Sequence, residues 1–302
     1  MSQQSPAPLD PPLIDDRPSL RFALEVGGST LAVRSYEPIG APAATILAIH
    51  GFRGDHHGLR RIVNALPRHR FVIPDLPGFG DSGPFAGERA PAHDLTGHGM
   101  VIEALRTALE LPADTVLLGH SYGSVVTSHY LAAHPGTFSR LVLINPICEP
   151  ALEGSAAITT KLAEFYYAAG AFLPGRLGEA ILRSRLIVDA TTAAMVTSSD
   201  PATRAYVKTQ HRAYFAGFSS PATLLESYRA SVAHTVLEVA AAIEAPTLLV
   251  AGSADPLGSV RGQEILAETF PHAELEMIQG VGHLIHYETP GTAAAAIERF
   301  LA

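Results

Sequence analysis

The sequence predicts an α/β protein in which helices cover both faces of a mostly parallel β-sheet. Helical stretches separate five short runs of almost continuous apolar residues, which lie at 45–51, 71–75, 115–119, 140–146 and 246–252. Such runs are typical of strands that are buried on both faces, as in a parallel sheet between two layers of helices. Two further observations complete the pattern: a hairpin precedes these runs, and one long interval interrupts them.

The first predicted elements form an antiparallel hairpin. Apolar residues occupy every second position from Leu20 to Val26, and Gly27-Gly28 and the segment "STLAVRSYEP" follow. Alternation indicates a half-buried strand, and a glycine pair between two strands is a hairpin signal. Near the other end of the chain we expect a last strand from Glu274 to Ile278 and a helix from Pro290 to Phe300, begun by proline as helices often are.

One long interval, 147–235, contains no convincing buried strand. Alanine-rich stretches with helical spacing fill it, and Gly170, Pro174-Gly175, Pro201 and Pro221 split them, so we expect several short helices inserted between two strands of the sheet. The interval holds nine of the chain's 21 Phe and Tyr residues. These aromatics either form the core of the insertion or line an apolar pocket, for which the candidates are Phe165, Tyr166, Phe172, Tyr214 and Phe218.

Composition and charge narrow the function classes. The chain has 302 residues, 47% of them hydrophobic, and a formal net charge of −8. This charge argues against nucleic acid as a partner, because phosphate binding requires a basic patch. No apolar run approaches the roughly 18 residues of a membrane span. Residues 1–17 are polar and proline-rich and lack the features of a signal peptide, so we expect a flexible tail on a soluble cytoplasmic protein.

Metal and thiol chemistry is not indicated. The single cysteine, Cys148, leaves no disulfide framework, and we interpret it as a core residue. No Cys and His cluster with metal-ligand spacing is evident, and His56 and His57 in "GDHHG" are interpreted as polar loop residues. We therefore predict neither a metal nor a cofactor.

The segment "GHSYGS" at 119–124 joins a predicted strand to a predicted helix. A serine hydroxyl is a poor nucleophile unless a turn exposes it and a base lies within hydrogen-bond reach. Gly119 and Gly123 permit a sharp turn, because a side chain there would crowd the neighbouring strand or helix. Ser121 is therefore the candidate nucleophile, and the alternative is an ordinary strand-to-helix turn that contains a serine.

A base and an orienting acid follow later in the chain. His283 comes after the last predicted strand in "GVGHLIH", with His286 as the near alternative, and histidine is the natural base at neutral pH. Asp255 follows "PTLLVAG" and fits the acid that holds the imidazole in the right tautomer. Its rival is Glu149, which follows "RLVLINP".

Two backbone N–H groups are predicted to hold an oxyanion. Phe52 follows the strand at 45–51 in the loop "HGF", and Tyr122 begins the helix after Ser121. Both N–H groups could then face the charge that develops beside the serine. His50 is interpreted as a residue that shapes this loop by hydrogen bonding.

Taken in order, these motifs resemble the α/β-hydrolase fold superfamily in its cofactor-free, lidded branch. The resemblance runs from about residue 20 to the end of the chain and rests on "HGF", "DLPGFGDSG" at 75–83, "GHSYGS", "GSADPL" at 252–257 and "GVGHLIHYETP" at 280–290. It implies an eight-stranded, mostly parallel sheet, a helical cap after the sixth strand and a catalytic triad of Ser121, Asp255 and His283. The core would then span 18–146 and 236–302, and the cap 147–235.

Together, the residues and the resemblance predict a serine hydrolase that cleaves a carboxylic ester or related acyl bond of a small to medium apolar substrate. The same triad in this family also serves C–C bond hydrolases, thioesterases and cofactor-free perhydrolases, which fold resemblance does not separate. Arg53, Arg183 and Arg212 are candidates for binding a substrate carboxylate. A ligand-binding receptor with slow or no turnover is the alternative of another class, and a homodimer is compatible with the sequence.

Overall fold

The computed structural model describes residues 17–151, 156–173 and 176–302, without the side chains of 156–159. The predicted tail therefore lies outside the described residues except for Arg17, and so does Pro174-Gly175. The Arg17 guanidinium is buried and donates hydrogen bonds to backbone carbonyls, among them those of Val63 (3.0 Å) and His69 (2.6 Å). This residue therefore belongs to the packed core.

A single sheet of eight strands forms the centre of the described structure. Its strands are β1 (Leu20–Val26), β2 (Ser29–Tyr36), β3 (Thr45–Ile49), β4 (Arg70–Pro74), β5 (Val116–His120), β6 (Arg140–Ile144), β7 (Thr247–Gly252) and β8 (Ala273–Ile278). They lie in the order β1-β2-β4-β3-β5-β6-β7-β8. Strand β2 pairs antiparallel with β1 and β4, and all other neighbours are parallel. The predicted mostly parallel sheet and its edge hairpin are confirmed.

The described part of the chain contains eleven α-helices. They are α1 (Arg60–Ala65), α2 (Leu95–Ala108), α3 (Tyr122–Ala133), α4 (Ala156–Phe172), α5 (Arg176–Leu182), α6 (Arg185–Met195), α7 (Pro201–Tyr214), α8 (Pro221–Ala233), α9 (Val260–Thr269), α10 (Ile285–Glu288) and α11 (Pro290–Leu301). The helix predicted from Pro290 corresponds to α11. Helices α1, α10 and α11 pack on one face of the sheet, and α2, α3 and α9 pack on the other.

The central strands read as continuous apolar runs because both of their faces are buried. In β5, Leu117 packs in the cluster that includes α2 and α3, whereas Val116 and Leu118 pack in the cluster that includes α1 and α11. Successive side chains of a strand point to opposite faces, so a strand between two helical layers needs apolar residues at every position.

Helices α4 to α8 lie between β6 and β7, and we call residues 156–233 the inserted segment. Helices α7 and α8 begin at prolines, and each has a capping side chain just before it: Asp200 accepts the Thr203 N–H, and Ser220 accepts the Thr223 N–H. The prediction of short helices here is confirmed, whereas the division of the chain into a core and a separate cap stays a prediction.

The break predicted at Gly170 is wrong, because this residue lies inside α4. A Cβ atom at Gly170 would come within 2.4 Å of Leu182 Cγ. The glycine therefore allows α5 to pack closely on α4, and it does not end the helix.

The inserted segment is joined to the loop after β4 by backbone hydrogen bonds. The Gly80 N–H donates to the Gly217 carbonyl over 2.9 Å, and the Ser219 N–H donates to the Gly78 carbonyl over 2.8 Å.

Among the described helices, none is both long and apolar enough to cross a membrane.

Candidate active site

Ser121 lies at the sharp turn that connects β5 to α3. Its φ of 53° and ψ of −121° are unusual for a residue with a side chain and indicate local backbone strain. A Cβ atom at Gly123 would lie 2.2 Å from the Ile49 carbonyl oxygen, and one at Gly119 would lie 2.4 Å from the Gly123 carbonyl oxygen. Gly119 therefore lets α3 pack closely on β5, and Gly123 lets the same helix pack closely on the end of β3, with Ser121 at the tip of the turn.

The structure brings Ser121, His283 and Asp255 together in one hydrogen-bonded chain. His283 Nε2 lies 2.8 Å from Ser121 Oγ, and His283 Nδ1 lies 2.8 Å from Asp255 Oδ2. The side chains of His283 and Asp255 are each only 3% exposed. Because a carboxylate only accepts hydrogen bonds, it favours the tautomer with the proton on Nδ1. In that tautomer Nε2 is free to accept the proton of the serine hydroxyl.

Asp255 is held as a carboxylate. Burial opposes its ionisation, but the charge of His283 and its hydrogen bond outweigh burial, so that the pKa of Asp255 lies below its usual value. Two further groups support the charged form: the Leu257 N–H donates to Oδ1 over 2.8 Å, and Asn145 Nδ2 donates to Oδ2 over 2.9 Å. A buried, ionised acid beside the imidazole is the arrangement that stabilises an imidazolium.

Asn145 was missed by the sequence reasoning. It directly follows β6, is fully buried and has a φ of 48°. The available signal was its position, because a polar side chain just past the carboxyl end of a buried parallel strand lies at the edge of the sheet where ligands bind.

The two alternatives to the predicted acid and base lie elsewhere. His286 is buried against His120, with ring centroids 4.0 Å apart, and burial followed by the charges of nearby histidines holds the pKa of His286 well below its usual value. Glu149 instead accepts the Ser259 N–H over 3.1 Å at the start of α9. Neither side chain hydrogen-bonds to Ser121 or His283 within the described residues.

The loop after β3 lies against the serine turn. A Cβ atom at Gly51 would approach Ser121 Cβ to 3.1 Å, so the following residue, Phe52, begins close to the candidate nucleophile. In the described part of the chain, neither the Phe52 N–H nor the Tyr122 N–H has an internal acceptor. His50 fixes this loop to the one after β4, because its Nε2 accepts the Leu76 N–H over 2.9 Å.

The five predicted pocket aromatics do not form one cluster. Phe165 and Phe172 are 70% and 80% exposed. The Tyr166 hydroxyl donates to a backbone carbonyl in α5. The Tyr214 ring stacks on His57 at a centroid distance of 3.7 Å, and Phe218 is buried beneath the Arg183 guanidinium. Their role in a pocket stays a prediction.

A different aromatic group surrounds Phe52. Its ring centroid lies 5.7 Å from those of Tyr167 and Tyr228 and 6.2 Å from that of Phe79, and Tyr167 and Tyr228 are 4.5 Å apart. These rings extend from the loop that contains a predicted oxyanion donor into the inserted segment. The sequence offered no signal to prefer Tyr167 over the adjacent Tyr166, because both lie in an alanine-rich helix.

The three candidate arginines are engaged with the protein. Arg53 is buried and donates to the carbonyls of Phe215 (3.1 Å) and Leu182 (3.0 Å). Arg183, which follows α5, forms an ion pair with Glu179 of that helix and also donates to the backbone carbonyls of Ala216 and Phe218. Arg212 forms an ion pair with an aspartate of α6. The structure therefore uses all three to hold the inserted segment together.

Two groups in the described residues have metal-ligand atoms near one another, namely Asp55, His56 and His57, and His129, His234 and Glu238. In both groups histidine nitrogens already contact carboxylates: His56 Nδ1 lies 2.7 Å from Asp75 Oδ1, and His234 Nδ1 lies 2.9 Å from Glu238 Oε2. Hydrogen bonds between histidine and carboxylate therefore explain why the side chains of each group lie close together.

Comparison with known proteins identifies the family. The alpha/beta hydrolase fold family matches residues 44–290, and the chain belongs to it. Lipase LipV from Mycobacterium tuberculosis is 34% identical over 127 residues, which cover 41% of this chain and 44% of that lipase. Monoglyceride lipase from Rattus norvegicus is 27% identical over 294 residues, which cover 90% of this chain and 85% of that protein.

Solved structures agree on the fold. A thermophilic esterase from Thermogutta terrifontis has a TM-score of 0.74 at 19% identity, over 93% of this chain and 98% of the esterase. The predicted membership of the α/β-hydrolase superfamily is confirmed.

Proposed function

We propose that this protein is a serine hydrolase that cleaves carboxylic esters of small to medium apolar substrates through Ser121, His283 and Asp255. At the level of class, the chain is a hydrolase acting on esters, in keeping with the lipases that it resembles. The hydrogen-bonded chain of two 2.8 Å contacts, from Asp255 through His283 to Ser121, supports the proposal most directly.

The proposed reaction proceeds through an acyl-enzyme. Ser121 Oγ attacks the ester carbonyl carbon while His283 Nε2 takes the hydroxyl proton. The N–H groups of Phe52 and Tyr122 bind the resulting oxyanion. The C–O bond to the alcohol then breaks as His283 returns the proton to the leaving oxygen. A water molecule attacks the acyl-enzyme, His283 takes its proton, and the acid leaves as Ser121 regains its hydrogen.

An apolar substrate is favoured by the aromatic group around Phe52, which includes Tyr167 and Tyr228 of the inserted segment. A C–C bond hydrolase of this kind would need a cation for a substrate carboxylate. Arg53, Arg183 and Arg212 are instead bound to protein groups, which disfavours this alternative. Thioester cleavage and perhydrolysis use the same groups and are separated by substrate screening. A cytoplasmic location, a homodimer and the exclusion of nucleic acid stay predictions.

A fluorophosphonate probe tests the proposal. We expect intact-mass analysis to show one adduct on the wild type and none on Ser121→Ala. Hydrolysis of short- to medium-chain nitrophenyl esters should fall by about 10⁴-fold or more in that variant, because the nucleophile is lost. Ser128→Ala is a matched control, since Ser128 is buried in α3 and its hydroxyl has no partner in the described structure. An adduct that persists in Ser121→Ala would refute the proposal. No adduct and no turnover in the wild type would favour the receptor alternative.

A further inference from the structure

The backbone of Gly282, directly before His283, is held from two sides. Its N–H donates to Thr197 Oγ1 over 3.0 Å, and its carbonyl accepts from Asn145 Nδ2 over 3.2 Å. A Cβ atom at Gly282 would lie 2.8 Å from Thr197 Cγ2, so the two residues are also in close van der Waals contact. The residue that leads into the base is therefore clamped between the end of a strand and the inserted segment.

On the strand side, the residue that holds Gly282 is buried and also contacts Asp255. Asn145 is fully buried, and its own N–H donates to the Val250 carbonyl over 2.8 Å. The same Nδ2 group that binds Gly282 also donates to Asp255 Oδ2 over 2.9 Å. One amide thus fixes the loop of the acid relative to the loop of the base.

On the other side, Thr197 lies in the corner between α6 and α7, and Glu288 of α10 orients it. Thr197 donates to Glu288 twice, through its N–H over 3.0 Å and its hydroxyl over 2.8 Å, and the Ser198 N–H donates to Glu288 over 2.7 Å. Because the hydroxyl proton is directed to the carboxylate, a lone pair of Oγ1 is free to accept from Gly282.

The same corner is also packed onto the base loop by apolar contacts. Val196 and Val207 of the inserted segment form a small buried cluster with Leu284 and Tyr287, which flank the base on its carboxyl side. The α6–α7 corner and the loop of His283 therefore form one packed body, so a shift of the corner is transmitted to the base.

We propose that Thr197 is a positioning residue that, through Gly282, aligns the His283 imidazole with Ser121 and so couples the position of the inserted segment to the strength of the catalytic base. This inference rests on the proposed function. Thr197 does not touch the reacting atoms; its effect passes through the backbone that leads into His283. Misplacement of a catalytic group by a fraction of an ångström lowers the rate of the chemical step more than substrate binding.

Thr197→Val tests the inference, because it keeps the shape of the side chain and removes the hydroxyl that accepts from Gly282 and donates to Glu288. We expect kcat per active site, titrated with the fluorophosphonate probe, to fall by about tenfold while KM stays within about twofold. Thr197→Ser should restore most of the loss, since it returns the hydroxyl. Thr209→Val is the matched control, because that hydroxyl lies in the same segment and donates to the Ala205 carbonyl of its own helix.

A second readout does not depend on turnover. The proton on His283 Nδ1 gives a far-downfield NMR resonance when it is bound to a carboxylate, and we expect this resonance to shift in Thr197→Val but not in Thr209→Val. If Thr197→Val keeps the wild-type kcat and an unshifted resonance, the inference is overturned. It is also overturned if the variant has fewer titrated active sites but an unchanged kcat per active site. Wild-type protein without Ser121-dependent turnover would refute the proposed function instead, and the resonance would then decide the inference alone.

Discussion

At the scale of single residues, the backbone of Ser121 shows how the local sequence serves the site. A φ of 53° is strained for serine, and the turn persists because Gly119 lacks a side chain that would keep β5 and α3 apart and Gly123 lacks one that would keep α3 away from β3. The strain is thus offset by the close packing of a strand and a helix, and it directs the hydroxyl toward His283.

Gly123→Ala should disrupt this packing. The new methyl group would meet the Ile49 carbonyl at 2.2 Å and the His50 carbonyl at 2.7 Å, so the backbone must move. We expect loss of ester turnover and a fall in the free energy of unfolding of about 1–3 kcal/mol, measured by urea denaturation.

Gly99→Ala is the control for this substitution. Gly99 lies inside α2, and its nearest neighbour would be 3.9 Å from the added Cβ. Alanine there should stabilise the protein by up to about 1 kcal/mol and leave turnover unchanged, because alanine favours helix more than glycine does. Equal losses in both variants would contradict the packing argument.

Single residues also mark what the sequence could predict. Ser121, Asp255 and His283 were recognisable because each follows a predicted strand and therefore lies at the same edge of the sheet. Thr197 does not follow a predicted strand. It lies between two helices, and its contact with Gly282 depends on how the inserted segment packs. The contacts of Tyr167 and Tyr228 with Phe52 were not predictable for the same reason, since helix orientation decides which ring faces the core.

At the scale of elements, the buried side chain of Arg53 links the loop after β3 to the inserted segment. The Arg53 guanidinium reaches the ends of both α5 and α7 through the carbonyls of Leu182 and Phe215, and it lies 4.7 Å from the Phe215 ring centroid. A planar group with several donors can link two helix ends in this way, whereas lysine cannot.

Arg53→Met should therefore loosen the inserted segment. The buried Leu182 carbonyl and the partly buried Phe215 carbonyl would lose their donors, and an unsatisfied buried group costs about 1–3 kcal/mol. We expect a lower melting temperature and faster proteolysis within 156–233. Arg212→Met is the control, because its pair with Asp189 is exposed and exposed ion pairs contribute little to stability. Equal effects of the two substitutions would contradict the proposed link.

The elements themselves were largely predictable. Strand positions follow from runs of apolar residues, and the structure reproduces them within a residue or two. Helix ends in the inserted segment were marked by Pro201 and Pro221, which begin α7 and α8. Gly170 was misleading because glycine also serves close helix packing, which a single sequence does not distinguish from a helix end.

At the scale of the whole molecule, the described structure contains several histidines that are buried in the neutral form. Burial lowers the pKa of His98 and His120 to about 3 and that of His211 to about 4; His120 also feels the charge of His283. Unfolded histidine titrates near pH 6.5. The folded state therefore excludes protons that the unfolded state takes up.

Acid should therefore destabilise the fold well before the carboxylates titrate. A depressed histidine pKa contributes stability that is complete above about pH 6.5 and is lost as the pH falls toward the folded pKa, by up to about 1.4 kcal/mol per unit for each group. We expect the free energy of unfolding, from urea titrations, to be clearly lower at pH 5 than at pH 7.5.

Two variants separate the buried histidines from the exposed ones. His98→Gln should show a shallower dependence of the unfolding free energy on pH, because one buried group that titrates on unfolding is gone. His272→Gln should keep the wild-type dependence, since this side chain is 63% exposed. Equal unfolding free energies of the wild type at the two pH values would contradict the argument.

The positions of the four site loops in the sheet determine when during folding the contact between Ser121 and His283 can form. Ser121, Asn145, Asp255 and His283 follow β5, β6, β7 and β8, which are neighbours in the sheet, and the contact between Ser121 and His283 joins residues 162 positions apart. Contacts of such long sequence separation are slow to form. Until β8 docks beside β7, a partly folded chain lacks His283 next to Ser121 and therefore lacks the contact that would activate the serine.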